Sequence, residues 1–200
     1  MKSESAYRSI TAALLVTAAA ISGYHRHRAE QARGEEISLQ EEGLPTAVAL
    51  RSSGLVLMLS VVAYLINPRW IAWSSLELPR LLRWSGAGLG ALSLALALWI
   101  FRTIGKNITS TVETREEHEL VTGGPYRWVR YPLYTVRTSF FVSLSLLAAN
   151  WFMGLASLVV LVMLSIRLPK EEEKLIERFG DEYRSHMKRT GRLLPRIERH

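Results

Sequence analysis

The stretch TSFFVSLSLLAANWFMGLASLVVLVMLSI, residues 138–166, contains no charged side chain. At 29 residues it is longer than one untilted bilayer crossing, which takes about 20 apolar residues, and short for two. Extended back to Leu133, it has room for two short helices meeting near Asn150-Trp151 in a tight hairpin. One long helix would put the two most polar segments, Arg102 to Arg130 and Arg167 to His200, on opposite sides of the membrane. The hairpin keeps them together and is preferred for that reason.

Three more uncharged stretches, residues 9–24, 52–66 and 84–101, complete the pattern. Together they predict an all-α, polytopic integral membrane protein, a single domain over residues 1–200, with five transmembrane helices at about 8–24, 47–66, 82–104, 133–149 and 151–168. The averages over the whole chain, 48% hydrophobic and 22% charged, would suit a soluble protein, but they conceal this alternation of apolar and polar pieces. The first block carries Ala18-Ala19-Ala20, a run of the kind signal peptidases accept, and is read as an uncleaved span. Asn67-Pro68 stops the second span, and Trp70, Trp73 and Trp84 flank the next connection as interfacial aromatics do.

Charge orients the spans. The face holding the 25–46 loop, the 102–130 loop and the tail carries 18 Lys/Arg, the opposite face five, and Arg51 and Arg137 lie within spans. The basic face, with the carboxyl terminus, is therefore expected in the cytoplasm. The net charge of +7 is explained this way without a nucleic-acid partner, and membrane lipids are the natural neighbours. Zero cysteines exclude a disulfide scaffold, a thiol nucleophile and a cysteinyl metal site. His25-Arg26-His27 reads as a basic patch facing headgroups rather than as metal ligands, since two histidines two apart on a helix diverge. Asn107-Ile108-Thr109 matches a glycosylation sequon but falls on the cytoplasmic side and is read as incidental. Gly86-Ala87-Gly88-Leu89-Gly90 lies within an apolar helix, where Gly86 and Gly90 let another helix approach closely, so it is not read as a phosphate loop.

Two polar segments carry the chemistry, 118–134 and 167–183. In the first, Gly123-Gly124-Pro125 is a turn followed by an aromatic and basic helix entry, and Arg130, Tyr134 and Arg137 share a face at i, i+4 and i+7. In the second, Pro169 suits the first turn of a new helix, followed by Glu171-Glu172-Glu173 at its positive end. Leu175, Phe179, Tyr183 and Met187 form an apolar stripe, and Gly180-Asp181 ends one turn and caps the next.

His118-x-Leu120-Val121, Gly124-x-Tyr126 and Arg130-x-Pro132-x-Tyr134 are followed, after the hairpin, by Arg167, Glu171-Glu172, Leu175, Phe179-Gly180 and Glu182-Tyr183. In order and spacing these resemble the isoprenylcysteine carboxyl methyltransferase family, over about half the chain from residue 100 to Pro195, and the layout is similar to its short prokaryotic members. The resemblance implies a cofactor, S-adenosyl-L-methionine (SAM), held by His118, Glu119, Leu120, Val121, Gly124, Tyr126, Tyr131, Pro132, Leu133, Tyr134 and Glu171. It implies that Arg167 contacts the substrate and is the catalytic residue. Tyr131 departs from the family's Arg-His-Pro, exchanging a group that can be cationic for a neutral donor. The implied reaction is carboxyl methylation of a prenylated or other lipophilic acceptor, with no metal. Methylation of a phospholipid amine, a sterol-reductase-like activity using NADPH, and a membrane partner protein without catalysis are the alternatives.

Overall fold

Five helices follow one another in the computed structural model, which describes residues 2–31, 44–104 and 120–196. They are α1 (Lys2–Gln31), α2 (Leu44–Ile66), α3 (Arg80–Ile104), α4 (Pro132–Ala148) and α5 (Trp151–Arg189), and the class is all-α as expected. Four stretches, Glu4–His25, Val48–Ile66, Arg80–Ile104 and Trp151–Arg189, are long and apolar enough to cross a membrane. The remaining expected span, α4, has 17 residues, a rise of about 26 Å against a hydrocarbon core of about 30 Å. Pro132 fixes one end of α4 and the left-handed Ala149 the other. Between them it packs against α3 and α5, burying Val136, Phe140, Ser143, Leu144 and Leu147 within the bundle.

The hairpin forms where the uncharged stretch placed it. Ala149 turns the chain at φ 49°, ψ 52°, and Asn150 caps α5 by accepting from the Met153 amide at 3.1 Å. The Asn150 amide nitrogen also donates to the Ile71 carbonyl at 3.2 Å and to Ser74 Oγ at 2.8 Å, while Ser145 Oγ donates to the Asn150 carbonyl at 2.7 Å. One buried polar side chain thus pins the hairpin tip to the 3-10 segment Pro68–Ser74 that follows α2.

Glycine decides how closely α3 and α4 approach. A Cβ on Gly86 would lie 2.8 Å from the Ser143 carbonyl oxygen, and one on Gly90 would lie 2.7 Å from Leu14 and 2.8 Å from Ser143 Oγ. Both glycines are buried against neighbouring helices, as their spacing predicted. Helix α1 belongs to the same body, with Tyr7, Thr11 and Leu14 buried along one stripe. Near its start, Glu4 pairs with Arg83 at 2.8 Å and accepts from the Tyr64 hydroxyl at 2.9 Å. Arg83 also donates to the Leu147 carbonyl at 2.9 Å and lies 3.8 Å from the centre of the Tyr7 ring, tying four helices at one end. Toward the other end of α1, the His25 ring stacks on Phe101 of α3 at 4.9 Å.

Helix α5 departs from expectation at Pro169. No new helix starts there, because α5 runs through the proline from Trp151 to Arg189. A proline inside a helix forfeits a backbone hydrogen bond at a cost of roughly 3 kcal/mol. Burial of Leu164 and Leu168 before Pro169, and the pairing of buried Glu172 with Arg130 and Arg192 after it, offset that loss. The expected break occurs at Gly180, whose φ 53°, ψ −125° is open to glycine and strained for any other residue. Of the expected apolar stripe, Tyr183 is buried while Leu175, Phe179 and Met187 are half-buried.

Candidate functional site

The site is built on the residue before a proline. Pro132 starts α4 and keeps Tyr131 out of the helix at φ −122°, ψ 58°. One turn on, the Tyr134 ring stacks on that of Tyr131, with centroids 5.6 Å apart and planes 17° from parallel. The Tyr134 hydroxyl donates to the Glu171 carboxylate, 3.2 and 3.3 Å from its two oxygens. Arg167, one turn earlier on α5, has Nη2 3.6 Å from Glu171 Oε1, and both side chains are largely buried. Residues distant in sequence, Tyr131 and Tyr134 on one side and Arg167 and Glu171 on the other, therefore meet between the start of α4 and the middle of α5.

Tyr126 joins them from the turn Gly124–Arg127. Gly124 sits at φ 56°, and a Cβ there would lie 2.7 Å from Thr103 Oγ1, so the turn rests directly on the end of α3. Burial pushes the Tyr126 phenol well above its usual range, with Tyr134 a nearby second influence. Tyr131 is pushed up as well, by burial first and then by Tyr183 and the Glu171 carboxylate. Both phenols stay protonated near neutrality and remain hydrogen-bond donors. Leu120, Val121 and Leu133 are half-buried and Pro132 is buried, whereas His118, Glu119 and the sequon Asn107-Ile108-Thr109 lie outside the described residues.

Arg130 does not share a face with Tyr134 and Arg137. It precedes the proline, so it lies outside α4, and its guanidinium runs to Glu172 with Nε and Nη2 each 2.9 Å from Oε1. Its Nη1 donates to the Thr190 carbonyl at 2.5 Å and the Met187 carbonyl at 3.2 Å. Glu172 is also held by Arg192, through Nε at 3.1 Å and Nη2 at 2.5 Å. Successive helical residues diverge by about 100°, so Glu171 faces Tyr134 while Glu172 faces the two arginines. The sequence reading missed Arg192, Thr190 and the structural part of Glu172. The one available signal was an adjacent pair of glutamates with two basic segments to satisfy.

The cluster offers a shared carboxylate, a guanidinium, three tyrosine rings and buried hydroxyl donors. The buried Tyr131 and Tyr183 hydroxyls lie close enough to act on each other and have no other hydrogen-bond partner among the described residues. Donors of this kind suit a carboxylate, tyrosine faces suit a cation, and Glu171 can accept from amino or hydroxyl groups. The residues present therefore fit SAM, which carries an amino acid carboxylate and amine, a sulfonium and ribose hydroxyls.

A family model described as phospholipid methyltransferase matches residues 81–182, which hold the α4–α5 hairpin, Tyr131, Tyr134, Arg167 and Glu171. The chain is similar to protein-S-isoprenylcysteine O-methyltransferase of Homo sapiens, 33% identical over 99 residues, and to that of Mus musculus at 32%. Each match covers 48% of this chain, and it spans 35% of the length of these curated relatives. The fold is similar to a solved structure of a eukaryotic intramembrane Ras methyltransferase (isoprenylcysteine carboxyl methyltransferase), with TM-score 0.53 at 23% identity over 80% of this chain and 55% of that one. The chain belongs to the family whose model is described as phospholipid methyltransferase, and over about half its length it is similar to the protein-S-isoprenylcysteine O-methyltransferases.

Proposed function

We propose that the chain is a SAM-dependent methyltransferase that esterifies the carboxylate of an isoprenylcysteine-like or other lipophilic acceptor. In this reading it crosses the membrane five times, α4 making the short fourth crossing from the Tyr131 end of the bundle to the Asn150 tip. The basic end, with the site, faces the cytoplasm. The observation that carries the reading is the cluster of Tyr134, Arg167 and Glu171, placed where the apolar halves of α4 and α5 meet their polar ends.

Bound SAM supplies an electrophilic sulfonium methyl. A carboxylate with a pKa near 4 is already ionised, so the protein need not provide a general base. Its tasks are alignment, exclusion of water and a fixed charge for the acceptor. Arg167 provides that charge, and Glu171, at 3.6 Å, limits the guanidinium's freedom while keeping oxygen capacity for the cofactor. Tyr126, Tyr131 and Tyr134 wall the pocket with aromatic surface and neutral donors. The acceptor's apolar tail stays among the helices, where Leu155, Leu158, Val159 and Val162 of α5 are exposed.

A second reading, methylation of a phospholipid amine, has a specific observation in its favour, since Glu171 places a carboxylate beside Arg167. The purified chain in lipid nanodiscs, given methyl-labelled SAM, separates the two. A prenylated cysteine derivative should become labelled and release the label with base as an ester does. Label appearing only in a phosphatidylethanolamine headgroup would replace this proposal with the second.

A further inference from the structure

The described segment after α5, residues 190–196, stays against the protein. It runs back along the site as a strap: the Arg130 amide donates to the Gly191 carbonyl at 2.9 Å, the Gly191 amide to the Trp128 carbonyl at 3.1 Å, and the Tyr131 amide to the Arg192 carbonyl at 3.0 Å. Val129 and Gly191 form a parallel bridge, and Thr135 Oγ1 donates to the Leu193 carbonyl at 2.6 Å. These bonds bracket Tyr131 to Thr135, the stretch that carries Pro132 and Tyr134. An amide held just before a proline by pairing outside the helix leaves the strap as what fixes the entry angle of α4.

Two features hold the strap in place. Arg192 grips the buried carboxylate of Glu172 with Nε and Nη2, and Glu172 is in turn fixed by Arg130. Gly191 fits because it lacks a side chain, for a Cβ there would fall 1.8 Å from the Leu194 carbonyl oxygen. We propose that Gly191 and Arg192 are positioning residues for cofactor binding, setting the location of Tyr131 and Tyr134 relative to Glu171 through the strap. This inference rests on the proposed SAM site. Arg192 acts through the strap and touches neither cofactor nor acceptor. A bidentate guanidinium serves here better than an ammonium, because it holds both carboxylate oxygens at once.

The test uses the full chain in nanodiscs, with SAM affinity measured by equilibrium dialysis and amide exchange followed by mass spectrometry. Gly191→Ala and Arg192→Ala are expected to raise the SAM Kd five- to tenfold and to speed exchange at Arg130 and Tyr131 at least tenfold. At saturating SAM, kcat should change less than twofold. Arg192→Lys should fall between wild type and alanine in both readouts, which loss of a generic surface charge would not produce. Faster exchange with unchanged SAM affinity overturns the positioning role, and unchanged exchange overturns the strap itself. A wild-type chain that binds no SAM overturns the methyltransferase reading and this inference together, a result distinct from either of the others.

Discussion

Replacing Glu172 by alanine should cost far more stability than replacing its neighbour Glu171. Glu172 has 4% of its side chain exposed and neutralises Arg130, of which 8% is exposed. Removing one partner of a buried pair leaves an uncompensated charge, at a cost of about 3–5 kcal/mol. Arg130 keeps its bonds to the Thr190 and Met187 carbonyls, so the lower end applies, about 3 kcal/mol. Arg192 loses its partner too, but it is half-exposed and adds only about 0–1 kcal/mol. Glu171 has looser contacts, 3.2 and 3.3 Å to a hydroxyl and 3.6 Å to a guanidinium, and Glu171→Ala should cost about 1 kcal/mol. In a chain of this size 1 kcal/mol moves Tm by about 2–4 °C, so Glu172→Ala should melt roughly 6–12 °C below wild type and Glu171→Ala within about 4 °C. Thermal unfolding in one detergent, followed by intrinsic tryptophan fluorescence, measures both. Equal shifts, or a larger one for Glu171→Ala, would refute the division of labour between the two glutamates.

Arg167→Ala should reduce methyl transfer at least tenfold while changing SAM Kd less than threefold; equal loss in both would remove its role toward the acceptor. Tyr131→Phe deletes a buried donor whose neighbour is the Tyr183 hydroxyl, and if that donor serves the cofactor carboxylate, SAM affinity should fall by about fivefold, the equivalent of ~1 kcal/mol. Unchanged affinity would show that the hydroxyl serves only the protein interior. Gly86→Ala should destabilise by about 1–3 kcal/mol because its Cβ meets the α4 backbone, whereas Gly88→Ala meets nothing within 4 Å and should be neutral or stabilising by up to about 1 kcal/mol. Melting curves of the two variants check the pair together.

The parts of this protein that were legible in its sequence are those governed by local rules. An uncharged stretch of known length, an asparagine and a tryptophan at its middle, and glycines four apart determined the hairpin and the α3–α4 contact, because bilayer thickness and helix geometry leave few alternatives. Gly180 was legible for a similar reason, since the helix breaks at a residue that can adopt a conformation others avoid. Pro169 misled because its local preference was outweighed by burial on both sides of it, an energy that no short window contains. Arg130 misled because helical periodicity was applied across Pro132, where the helix had not begun. The strap was invisible, for pairing Arg192 with Glu172 and Gly191 with Trp128 depends on where Gly180 turns the end of α5. The meeting of Tyr134 with Arg167 and Glu171 followed from the family resemblance rather than from any periodicity, and the fold supplies its physical basis.

Cofactor identity is the most direct test of the central claim. The purified chain in nanodiscs should bind SAM in equilibrium dialysis, with affinity lowered at least tenfold by Glu171→Ala and by Tyr134→Ala, and should show no saturable binding of NADPH. Binding of NADPH in place of SAM, or SAM binding indifferent to both substitutions, would contradict a SAM-dependent methyltransferase with its site between the start of α4 and the middle of α5.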